Sequence, residues 1–88
     1  AWVEGLAAWR QGILDGAEAA FSRVGRDADD AELRAAGHYW ASRAAVARGE
    51  AEKAQPRLRA AAQDSETFYG MLASEMLGIA PANQREGV

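Results

Sequence analysis

The chain has no cysteine, which excludes disulfides and thiolate-held metals while leaving its compartment open. Histidine occurs once, at His38, so no set of imidazole ligands is available and neither a metal nor a cofactor is expected. Four valines and two isoleucines are too few to furnish the strands of a sheet. No run approaches the roughly 18 apolar residues that a membrane span requires. Lysine appears once and arginine nine times, dispersed among thirteen acids for a net charge of −3. That balance offers no basic stripe for nucleic acid and no attraction to an acidic membrane surface.

What the chain does have is alanine, 22 times in 88 residues. Alanine favours helix and lets helices approach closely, so the expected class is all-α. A chain of this length buries roughly 60–65% of its unfolded surface, enough for one core and not for two. It opens on Ala1 with no signal peptide ahead of it, which reads as an excised or processed piece.

Residues 2–25 laid over residues 39–62 bring small and aromatic side chains into register. The pairs are Trp2 with Tyr39, Gly5 with Ser42, Ala7 with Ala44, Gly12 with Gly49, Ala17 with Ala54, Phe21 with Leu58 and Val24 with Ala61. A further half-unit follows, with Phe68, Ala73 and Gly78 standing where Tyr39, Ala44 and Gly49 stood. A period of 37 residues with helical content marks a stacked helical repeat.

About five helices follow from this register, over 2–11, 16–26, 30–48, 50–63 and 66–77. They make one domain over 1–78: a first hairpin over 1–27, a second over 29–64, an unpaired third first-helix over 65–78, then an irregular tail over 79–88. Asp15 with Glu18 and Asp29 with Glu32 have the spacing of capping boxes, and Ser65 is placed to cap the fifth helix. Pro56 falls inside the fourth helix, where it removes a hydrogen bond. A kink there is preferred to a later start, which would take Ala54 out of its register with Ala17.

Small residues at Gly5, Ser42, Ala7, Ala44, Ala17 and Ala54 mark close crossings of antiparallel helices, with Phe21 and Leu58 filling the space beside them. The pattern resembles the tetratricopeptide repeat, and implies antiparallel hairpins wound into a right-handed superhelix. The family's tryptophan and mid-helix tyrosine positions are not matched, and its period is 34.

A second resemblance is carried by His38-Tyr39-Trp40-Ala41-Ser42-Arg43-Ala44, then Gly49, then Thr67-Phe68-Tyr69-Gly70-Met71-Leu72-Ala73 up to Leu77-Gly78. This order resembles the helical part of the soluble lytic murein transglycosylases, where a Tyr-Trp-x-x-Arg-Ala helix precedes a Phe-Tyr-Gly-x-Leu-Ala helix ending in Leu-Gly. It covers residues 31–78 well and residues 1–30 only as a generic repeat. The resemblance implies a periplasmic protein that cleaves the glycan strand of peptidoglycan to a 1,6-anhydro end, with an α-superhelix ahead of a lysozyme-like domain. Only the superhelix is matched here. No Glu-Ser motif is present, so no catalytic residue is carried over.

Candidate side chains carry competing interpretations. Tyr39, Trp40 and Tyr69 could stack on a sugar or on a partner, although a core role takes precedence for large rings in a small helical domain. Arg43 could hold a carboxylate of a peptide stem, with a structural ion pair as the preferred role. Glu75 on a largely apolar helix is the nearest acid by environment, but reads as a solvated residue. His38 reads as a packing or surface residue, and Ser42 as a close-packing one rather than a nucleophile. Asp27, Asp29, Asp30 and Glu32 lack the glycine and terminal glutamate of a calcium loop.

Two functions follow as expectations. One is a non-catalytic scaffold fragment of a lytic transglycosylase, its partners peptidoglycan or a missing catalytic domain. The other is a tetratricopeptide-like adaptor that binds a peptide or protein. Met71, Leu72, Met76, Leu77 and Ile79 make an apolar terminal helix, expected either to fold back on the fourth helix or to form a homo-oligomer.

Overall fold

The structure, a computed structural model, describes residues 2–78 and places in them five α-helices and no strand. They are α1 (Trp2–Gln11), α2 (Leu14–Asp27), α3 (Ala31–Ala47), α4 (Ala51–Ala62) and α5 (Phe68–Leu77). Three of them stop at the glycines of the register: Gly12, Gly49 and Gly78 have φ of 77°, 83° and 75°, a conformation that side chains with a Cβ seldom adopt. At Gly12 the turn is closed by Gly12 N–H donating to the Trp9 carbonyl at 3.1 Å and Ile13 N–H to the Ala8 carbonyl at 2.9 Å. Gly49 and Glu50 repeat it on the Val46 and Ala45 carbonyls, each at 2.9 Å. The recurrence of these glycines therefore has one cause, the same kind of helix stop used three times.

Helix starts depart from expectation. No capping box forms at Asp15 and Glu18, because the turn at Gly12 feeds the chain directly into α2 and the helix already begins at Leu14. Asp15 lies within that first turn and accepts from the Gly16 N–H, while Glu18 is buried and serves elsewhere. At α3 the cap is Asp30 rather than Asp29, its carboxylate accepting from Leu33 N–H at 2.9 Å. At α5 it is Thr67 rather than Ser65: Thr67 Oγ1 accepts from Gly70 N–H at 2.9 Å and donates to the Asp64 carbonyl at 2.7 Å. Helix α4 starts ahead of Pro56 and runs on through it to Ala62, keeping Ala54 buried in the register of Ala17.

Successive helices pack as hairpins, α1 on α2 and α3 on α4, with the most extensive contact between α2 and α3. There the backbones nearly touch: a Cβ on Gly37 would lie 2.5 Å from Gly25 N and 2.7 Å from the Phe21 carbonyl oxygen. Helix α5 packs on α3 and α4, closing the end of the second hairpin. The shortest extent, 16 Å, holds two helices at the usual spacing of about 8–10 Å and no third layer.

Two apolar clusters result. Ala17, Phe21, Ala41 and Ala44 form the first, with Trp2, Leu6, Trp9 and Trp40 against it; Tyr39, Leu58, Ala61 and Ala73 form the second, with Tyr69, Leu72 and Leu77 against it. Trp40 touches both. The register breaks at Ala7, which is exposed although its counterpart Ala44 is fully buried. The difference lies in position: α3 is covered by α2, α4 and α5, whereas α1 packs chiefly on α2. Phe68 departs likewise, 62% exposed where Tyr39 is 6%. Of the terminal apolar residues, Leu72 and Leu77 fold back onto the second cluster while Met71 and Met76 stay exposed. Ile79 and the expected tail over 79–88 lie outside the described residues.

Candidate functional site

Helix α3 positions Tyr39, Trp40 and Arg43, and α5 brings Tyr69 to meet them. The Tyr39 ring lies 5.7 Å from Trp40 in an edge-to-face contact and 5.1 Å from Tyr69. Arg43, one turn beyond Tyr39, sets its guanidinium carbon 5.5 Å from the centre of the Trp40 ring and donates from Nη1 to Tyr39 Oη at 3.2 Å. All four residues singled out in the sequence thus form one constellation. Tyr39 is buried, Trp40 and Tyr69 are half-buried, and Arg43 is exposed. The contacts Arg43 makes among the described residues are to two rings.

The contacts continue in both directions. Trp40 meets Trp9 at 5.6 Å and Phe21 at 6.2 Å, Phe21 meets Trp2 at 5.2 Å, and Tyr69 meets Phe68 at 5.1 Å. All seven aromatic residues of the chain are therefore linked into one train of rings from α1 to α5. The half-exposed rings with the Arg43 cation beside them make a ledge suited to a flat, partly apolar ligand carrying hydroxyls or an anion.

Phe-Tyr-Gly at the start of α5 has a local physical reason. A Cβ on Gly70 would collide with the Asp64 carbonyl and with Thr67 Oγ1, so the tight α4–α5 turn demands glycine there. That turn is what brings Tyr69 onto Tyr39.

The remaining sequence candidates disperse. His38 is two residues, and so about 200°, around α3 from Trp40, and faces α2 and α4. Burial, and then the nearby Arg57 charge, lower its pKa below the usual histidine value. Ser42 Oγ donates to the Tyr39 carbonyl within α3 and is 2% exposed, a packing role. Glu75 is exposed. Asp27 pairs with Arg26 at 3.1 Å and Asp30 caps α3; among the described residues no group of three or more potential metal ligands is assembled.

Two charged clusters escaped the sequence analysis. Glu18, with its side chain 8% exposed, accepts from Arg48 Nη1 at 2.5 Å and from Arg57 Nη2 at 3.3 Å, tying α2 to the end of α3 and to α4. The Glu18 hydrogen bond raises the pKa of Arg48. Arg34 makes a two-pronged contact to Asp64 at 3.0 and 2.9 Å and donates to the Ala28 and Asp29 carbonyls, fastening the α2–α3 loop to the α4–α5 turn. Both carboxylate–arginine pairs span 30 residues, so nothing in local spacing announces them. The one available signal was Glu18 itself, an acid on the same helical face as Ala17, Phe21 and Val24.

Comparison with family models, with curated proteins and with solved structures finds no match for this chain.

Proposed function

We propose that the chain is a non-catalytic helical scaffold of a peptidoglycan lytic transglycosylase, a periplasmic tetratricopeptide-like superhelix that helps to position the glycan strand. The observation that carries this reading is the meeting of the two motifs on which the resemblance rests. Tyr39-Trp40-x-x-Arg43-Ala44 and Phe68-Tyr69-Gly70-x-Leu72-Ala73 lie 24 or more residues apart in sequence, yet they pack ring against ring at 5.1 Å. Gly70 is required for that contact, and Arg43 donates to the hydroxyl of the same Tyr39 that meets Tyr69. Trp40, Arg43 and Tyr69 each keep part of their surface free, and half-buried rings beside a cation are groups on which a sugar chain can rest.

The test is co-sedimentation of the full chain with purified sacculi. The chain is expected to sediment with them and to release no soluble anhydro-muropeptides. Trp40→Leu and Arg43→Ala, each with an unchanged far-UV spectrum, are expected to lower the bound fraction severalfold. Release of anhydro products overturns the non-catalytic reading, and equal binding by both variants overturns the ledge.

A second reading, an adaptor for a peptide or protein, is favoured by one observation: Phe68, Met71 and Met76 leave α5 with exposed apolar side chains at 62%, 51% and 52%. Retention of a protein partner that is lost in Met71→Glu, without sedimentation on sacculi, would select it.

A further inference from the structure

Away from the aromatic ledge, α2 and α4 flank a cleft whose floor is His38 of α3. It has two adjoining compartments that share Glu18 and Arg57, of about 410 and 440 Å³. The first is largely apolar, walled by Pro56, Ala60, the His38 ring and the stem of Lys53. The second is lined by Arg23, Arg26, Arg48 and Arg57 together with Asp15 and Glu18.

Two of these guanidiniums are held in place from behind. Glu18 is almost fully buried and binds both Arg48 and Arg57, whose side chains keep 32% and 34% of their surface free. One buried carboxylate thus orients two cations and neutralises one of them. Glu50 approaches Arg48 at 3.4 Å and Lys53 at 3.5 Å, offsetting part of the remaining charge, while at the rim Arg23 and Arg26 are turned to carboxylates of their own, Glu4 at 3.9 Å and Asp27 at 3.1 Å. Hydrogen-bonding capacity is also left over: Ser22 Oγ and Arg57 Nε, both belonging to residues that line the second compartment, have no partner. Unpaired buried polar atoms are costly in a fold that gains nothing from them, and rare for that reason.

We infer that this cleft is a binding site for a carboxylate borne on a short aliphatic body, such as the C-terminal residue of a peptide. The carboxylate takes the arginines ordered by Glu18, and the aliphatic part rests on Pro56, Ala60 and His38. Arginine suits this task because its planar fork engages a carboxylate through two hydrogen bonds. The inference is independent of the scaffold function, since it concerns a different face and different residues.

Titration of the labelled full chain, followed by backbone amide and arginine Nε resonances, tests it with three probes. N-acetylvaline is expected to saturate, shifting Ser22 and Arg57 most. Acetate, which lacks the aliphatic body, is expected to bind at least about fivefold more weakly, and N-acetylvaline methyl ester, which lacks the charge, not to saturate. Arg57→Gln, which leaves the Glu18–Arg48 pair in place and is checked by an unchanged far-UV spectrum, is expected to weaken N-acetylvaline about tenfold. Absence of saturation by N-acetylvaline overturns the site; equal binding of the ester overturns the role of charge, and equal binding of acetate that of the apolar compartment. Unchanged affinity in Arg57→Gln overturns the assignment to the arginines ordered by Glu18.

Discussion

Replacing glycine by alanine at two helical positions should shift stability in opposite directions. Within a helix interior the exchange gains up to about 1 kcal/mol from backbone entropy alone. At Gly16 the new Cβ meets only the Ile13 methyl at 3.2 Å and the Ala8 Cβ at 3.8 Å, and Ile13 is 49% exposed and free to turn aside. Gly16→Ala is therefore expected to stabilise by about 0.5 kcal/mol, a reduced gain because the residue lies in the first turn. At Gly37 the nearest atoms are Gly25 N at 2.5 Å, the Phe21 carbonyl oxygen at 2.7 Å and Gly25 Cα at 3.0 Å, none of which can rotate away. Helices α2 and α3 must then separate, loosening Phe21 and Ala41 in the first cluster. Overpacking of this kind costs about 1–3 kcal/mol, and rigid backbone neighbours put it near the upper value, so Gly37→Ala should destabilise by about 2 kcal/mol net. The two variants should differ by about 2.5 kcal/mol, or about 10–20 °C in melting temperature for a domain of this size. Urea unfolding followed by far-UV circular dichroism measures both. A Gly37→Ala protein as stable as the parent would refute the close approach of α2 and α3.

Three further outcomes are expected. Thr67→Ala should lose about 1–2 kcal/mol with its two cap hydrogen bonds, whereas Ser65→Ala should change stability by less than about 0.5 kcal/mol; equal effects in thermal melts would return the cap to Ser65. His38 has a folded-state pKa below the ordinary 6.5, so the unfolded chain takes up its proton first. Stability should accordingly be level above pH 6.5 and fall as the pH drops beneath it, and His38→Gln should remove that slope between about pH 5 and 6.5, where carboxylates remain ionised. Glu18→Gln should lower the urea midpoint clearly, because it breaks two arginine contacts at a buried site, while the exposed Glu52→Gln should leave it within experimental error.

How much of this was legible in the sequence depended on the range of the forces involved. Gly12, Gly49 and Gly78 announced three helix ends because a positive φ is a local demand that only one residue type meets easily. The five helices and the pairing of Ala17 with Ala54 and Phe21 with Leu58 followed from a repeat in small and large volumes. Caps were placed one or two residues early at Asp29 and Ser65, since Asp30 and Thr67 satisfy the same local rule and tertiary packing chooses between them. Glu18 was assigned to its own helix terminus although its partners, Arg48 and Arg57, lie on other elements. Tyr39, Trp40, Arg43 and Tyr69 were singled out one by one and lie together in the fold, but the exposure that separates Tyr69 from Phe68 depends on how α5 is rotated over α3, which no local spacing determines.

The train of rings gives the protein a built-in optical probe. Every intrinsic fluorophore sits within reach of a neighbour, so excitation absorbed at Tyr69 can pass through Tyr39 to Trp40 while α5 is docked. Detachment of α5 alone would weaken that transfer, uncover tyrosine emission and shift the emission of Trp40, which packs on the cluster α5 helps to form, while Trp2 and Trp9 keep their surroundings in the first cluster. Local fraying of the last helix and loss of the whole fold would then be told apart by colour, without a label.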